Sequence, residues 1–70
     1  MSKEKRYSVS YTSGATGYGW DMDTNSLAEV KHMVKHYSEY TMYFSVWDNV
    51  IHDFLYLKRV LEYKPEINKL

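Results

Sequence analysis

Apolar residues recur with the period of a helix through the stretch from Ser26 to Tyr40, SLAEVKHMVKHYSEY. Leu27, Val30, Met33, Val34 and Tyr37 share one face of that helix, while Glu29, Lys31, His32, Lys35, Ser38 and Glu39 fill the other. Such a rod docks along one stripe and leaves the rest in water. Ser26 followed by Glu29 fits a capping box, with the hydroxyl accepting from the Glu29 amide and the carboxylate reaching back to the Ser26 amide. The helix is expected to end near Tyr40, where the apolar period changes from 3.6 to 2.

On either side of this helix the alternation is that of strands. Tyr7, Val9 and Tyr11 face one way and Arg6, Ser8, Ser10 and Thr12 the other, which predicts a strand over Arg6 to Thr12. The turn cluster SGATG, from Ser13 to Gly17, leads into a second alternation at Tyr18, Trp20 and Met22, so these segments predict a hairpin. Gly19 inside its second strand marks either a bulge or a close approach to the backbone. After the helix, Thr41 to Trp47 predicts a third strand, with Met42, Phe44 and Val46 opposed to Tyr43, Ser45 and Trp47. Asp48 and Asn49 open a turn, and Val50 and Ile51 are apolar residues of the sort that cover a core edge. From His52 to Val60 a fourth strand pairs with the third, although Phe54, Leu57, Leu61 and Tyr63 also have roughly helical spacing. Residues 1–5 and 65–70 are expected to fray.

These elements sum to an α+β domain of ββαββ type spanning residues 1–70. It has a four-stranded antiparallel sheet in the order 2-1-3-4 and one helix on one face, an order that keeps every connection short. A single helix covers only one face. Val9, Phe44 and Val46 can lie under it, and some of Tyr18, Trp20, Tyr43 and Trp47 must then point elsewhere. Apolar patches larger than about a few hundred Å² seldom stay in water on a monomer, so the uncovered rings are expected to meet a partner or a second copy of the chain.

Composition sharpens this expectation. Eight Tyr, two Trp and two Phe make up 17% of the seventy residues, and tyrosine suits interfaces because its ring can be buried while its hydroxyl stays wet. Nine basic and nine acidic side chains cancel, which removes the basic footprint of a phosphate-backbone binder and the acidity of a DNA mimic. The absence of cysteine excludes a disulfide scaffold and fits a reducing compartment. The segment MSKEKRYS lacks the apolar run of a signal peptide, and no window approaches a membrane span, so a cytoplasmic protein is expected.

Candidate chemistry is sparse. Gly14 to Gly19, GATGYG, resembles a phosphate loop, but Trp20, Asp21, Met22 and Asp23 follow it where a lysine and a hydroxyl are needed. Thr16 to Asp23, TGYGWDMD, echoes the aromatic RNA-binding strand without its basic first residue. His32 and His36 stand one turn apart, the spacing at which two imidazoles can meet one zinc ion. Met33 occupies the glutamate position of the metalloprotease pattern, and Lys31 and Lys35 would crowd a cation, so two solvated histidines are the expectation and no metal or other cofactor is assigned. His52 beside Asp53 could orient an imidazole, but no serine elbow or cysteine nucleophile accompanies them, and one helix and one small sheet hardly enclose a substrate pocket of about 300 Å³ or more. A non-enzymatic role is expected.

With GYGW at Gly17 to Trp20 and VWD at Val46 to Asp48, the chain resembles short accessory proteins encoded by phages and prophages of low-GC bacteria. The resemblance implies a protein of the bacterial cytoplasm that binds and modulates a host protein, as anti-CRISPR inhibitors do. The residues themselves suggest a non-catalytic binding module, monomeric or homodimeric. Its contacts would be the rings of Tyr18, Trp20, Tyr43, Trp47 and Tyr56, with Asp21, Asp23 and Asp48 at the rim. A single-strand nucleic-acid binder stacking bases on the same rings is the alternative.

Overall fold

Six elements follow one another: β1 (Tyr7–Ser13), β2 (Gly19–Thr24), α1 (Leu27–Tyr37), β3 (Thr41–Asp48), β4 (Asp53–Arg59) and β5 (Ile67–Asn68). They are seen in a computed structural model that describes residues 5–14, 17–38, 41–59 and 65–70. The sheet runs β2-β1-β3-β4-β5, with every neighbouring pair antiparallel. The expected 2-1-3-4 order is present, and a fifth strand extends it.

That fifth strand corrects the expectation of a frayed end at 65–70. Ile67 pairs with Leu57 and Asn68 with Tyr56. The Glu66 amide donates to the Leu57 carbonyl and the Lys69 amide to that of Leu55, both at 2.7 Å. Lys69 also reaches the Asp53 carboxylate, and Leu70 packs against the core. The segment is polar in composition, but it satisfies backbone groups that would otherwise be left open along the outer edge of β4. Residues 1–4 lie outside the described residues.

Strand alternation divides the side chains between two faces. Tyr7, Val9 and Tyr11 of β1, Met22 of β2 and Phe44 and Val46 of β3 pack toward α1, where Val30 and Met33 complete the core. Val9, Val30, Phe44 and Val46 are fully buried. The opposite, helix-free face carries Ser8 and Ser10 of β1, Asp21 and Asp23 of β2, and Tyr43, Ser45 and Trp47 of β3, because these alternate with the core residues in register.

The helix starts as its sequence specifies on one count only. The Ser26 hydroxyl accepts from the Glu29 amide at 3.1 Å. The reciprocal arm of the box is replaced, since the Ser26 amide donates to the Thr24 hydroxyl at 3.1 Å. At the other end the Ser38 amide still bonds to the Val34 carbonyl, and the Ser38 carbonyl accepts from the Thr41 hydroxyl and the Lys58 ammonium. A cation on those last carbonyls favours termination there. Glu39 and Tyr40, in the expected last turn, lie outside the described residues.

Gly17 takes a positive φ of 73° and its amide donates to the Ser13 carbonyl at 2.9 Å, closing the first hairpin. Gly19 is no bulge, as it pairs in register with Thr12. The irregularities fall elsewhere. Between β1 and β3 the register shifts at Thr12/Ser13, and between β3 and β4 it shifts at Val46/Trp47, so that Trp47 pairs with Phe54 while Val46 pairs with Tyr56. Leu55 is thus the extra residue of a β-bulge. One extra residue reverses the facing of all that follows, which puts both Leu55 and Tyr56 on the helix side.

Candidate functional site

The helix-free face grades from wet to apolar across the strands. At one edge stand the exposed carboxylates of Asp21 and Asp23, and the Ser10 hydroxyl donates to Asp21 at 2.6 Å. Ser8 beside them accepts from the Asn49 side chain at 3.1 Å. Toward β4 the surface changes to rings. Trp47 and Phe54, cross-strand partners, meet edge to face with centroids 4.9 Å apart and planes at 79°. Tyr43, Trp47 and Phe54 are all half-buried, and the cross-strand pair Ser45 and Leu57 is buried. The face therefore presents partly accessible rings on β3 and β4 and, across the serines of β1, the carboxylates of β2, so that an apolar group and a donor or cation can be met at different points of one surface.

Four of the eight expected contact residues come together here: Tyr43, Trp47, Asp21 and Asp23. The other four do not join them. Trp20, 37% exposed, lies on the helix side at the β2 edge, edge to face with Tyr11 at 4.3 Å. Tyr11 in turn stacks on Tyr37 and on Phe44, with centroids 5.8 and 5.7 Å apart. Phe44 meets Tyr56 at 5.8 Å with planes at 89°. A row of rings thus crosses four strands beneath the helix. Tyr56, at 4% exposure, belongs to that core and not to an open surface, and the bulge at Leu55 is the reason. Tyr18 is 78% exposed, just ahead of β2.

Asp48 is also corrected, from rim to interior. It continues the phase of Phe44 and Val46 and so turns toward the helix side, where its side chain is 2% exposed. The Arg6 guanidinium donates to both carboxylate oxygens at 3.2 to 3.3 Å, and the Val50 amide donates at 2.8 Å. Burial pushes this carboxyl upward, yet the Arg6 hydrogen bonds together with the Val50 and Ile51 amides outweigh it and hold the group below the usual carboxylate range. Asn49 adds to the clamp, its amide donating to the Arg6 carbonyl at 2.7 Å and its side chain to the Lys5 carbonyl at 2.9 Å. The turn closes with the His52 amide on the Asp48 carbonyl at 2.9 Å and His52 at φ 54°. Asp48 and Asn49 therefore fasten the start of β1 to the β3–β4 turn. Arg6 was visible in the sequence only as a polar strand residue, and nothing in its spacing announced this partner 42 positions away.

A cleft of about 230 Å³ opens beside the clamp, lined by Tyr7, Leu27, Ile51 and Leu55. Ile51 is half exposed, so it covers the core edge only in part. Asp48, the one acidic side chain among the described residues that line the cleft, is already paired with Arg6. A neighbouring hollow of about 340 Å³ is flanked by Lys31, Val34 and Lys35. Both lysines therefore lean to the side of the helix that overlooks β5.

His32 and His36 project from the solvent side of α1, with ring centroids 4.1 Å apart and planes tilted by 43°. Both are exposed. Among the described residues, no group of three or more His, Cys, Asp or Glu could hold a metal ion, and no helix is long and apolar enough to cross a membrane. No protein-family model matches the chain, and neither does any curated protein or solved structure compared with it.

Proposed function

We propose that this chain is a non-catalytic protein-binding module that recognises its partner through the helix-free face of the sheet. The observation that carries this reading is the juxtaposition on one face of the half-buried Tyr43, Trp47 and Phe54 with the exposed carboxylates of Asp21 and Asp23. Rings surrounded by polar groups are how small interfaces obtain affinity, because a few aromatic anchors contribute most of it. The carboxylates favour a partner surface that brings an arginine or lysine next to its apolar contact. The resemblance to phage accessory proteins points to a host protein as that partner, with the chain acting as its inhibitor or modulator in the bacterial cytoplasm.

Single-stranded nucleic acid could stack on the same rings, but Asp21 and Asp23 would repel its phosphates. The two are separated by capture from bacterial lysate with wild type beside Trp47→Ala. A host protein retained by wild type and lost with the variant supports the proposal. Retention of nucleic acid, with an affinity that falls steeply as salt rises, would replace it with the stacking alternative.

A further inference from the structure

We propose that His32 and His36 form half of a divalent zinc-class site that is completed by the same pair from a second copy of the chain. This does not depend on the helix-free face, since α1 lies on the other side of the sheet. The helix spacing already brings the two imidazoles to a centroid distance of 4.1 Å, and both side chains are exposed. Two nitrogens on one tetrahedral zinc stand roughly 3.3 Å apart, given Zn–N bonds of about 2.0–2.1 Å. A centroid distance of 4.1 Å is of the same order as that spacing. The lysines expected to crowd such an ion lean toward the β5 side of the helix, lining the hollow with Val34. His36 also sits in the last turn of α1, where the helix end carries negative partial charge and favours a cation.

Zinc takes four protein ligands in closed sites, and one helix supplies two. No third His, Cys, Asp or Glu joins the pair among the described residues, and the same exposed pair on a second copy supplies the two ligands that complete the set. A two-fold arrangement of two helices provides four imidazoles around one ion, and each chain gives the same two residues, as an isologous contact demands.

Sedimentation of the full chain with increasing ZnCl2, in a buffer that does not chelate, tests this. The expected result is a shift from monomer to dimer mass with one zinc bound per two chains, reversed by EDTA. H32Q and H36Q, both at exposed positions and checked for helix content by circular dichroism, should each abolish the shift, while H52Q should dimerise as wild type does. A monomer mass at saturating zinc, a stoichiometry of one zinc per chain, or zinc-dependent dimers in the H32Q/H36Q double variant would each overturn the proposal.

Discussion

The two faces of the sheet obey the same alternation and meet opposite fates. Under α1, Val9, Phe44 and Val46 lose all contact with water, and the rings from Trp20 to Tyr56 interlock across the strands. On the other side Tyr43 and Trp47, only one residue away along the same strand, remain half-buried beside the hydroxyl residues of β1. What separates them is not hydrophobicity but whether a second layer exists to receive them. Among the described residues there is one helix, so the core is built once and the other surface has no second layer over it.

The sharpest way to break this contrast is to truncate one ring on each face. Phe44→Ala leaves a cavity at the centre of the core and should cost about 3–5 kcal/mol, comparable to the whole stability of a domain this small, so urea unfolding should find it largely unfolded. Trp47→Ala should instead cost about 2 kcal/mol or more in partner binding, measured by titration with the captured partner, while far-UV circular dichroism stays native. Ser26→Ala tests the helix that defines the covered face. Losing the hydroxyl that caps the Glu29 amide should cost about 1 kcal/mol in urea unfolding.

A pH-dependent prediction concerns the clamp that fastens the start of β1 to the β3–β4 turn. Asp48 is held below its ordinary range in the folded chain, so its contribution to stability is present above the unfolded carboxylate value of about 3.9 and is lost as pH falls through the lower folded value. Asp53 behaves in the same direction, through its hydrogen bond from Lys69. Acid unfolding should therefore set in below about pH 4, and Asp48→Asn should flatten that part of the stability curve.

Much of the covered face was legible in the sequence. The helical stripe, the hairpin and the third strand follow from periodicities of 3.6 and 2, and the order 2-1-3-4 follows from short antiparallel connections. The site was legible only where alternation ran unbroken, as it does for Tyr43, Trp47, Asp21 and Asp23. Tyr56 escaped because a bulge at Leu55 reverses its facing, and a bulge depends on cross-strand register, which no single strand encodes. Asp48 could have been found, since it shares the phase of Phe44 and Val46, but a carboxylate before a turn reads as solvated unless its buried partner is known. β5 escaped for a third reason: two residues hold it through backbone pairing, with Leu70 packed on the core beyond them, in a polar segment too short to show a period.

Urea unfolding of Trp47→Ala beside wild type tests most directly whether the helix-free face serves recognition and not folding. If its rings are there for a partner, the variant should unfold cooperatively, with a native spectrum and a stability loss well below that of Phe44→Ala. A collapse equal to that of Phe44→Ala would make Trp47 part of the core and contradict the assignment of that face to binding.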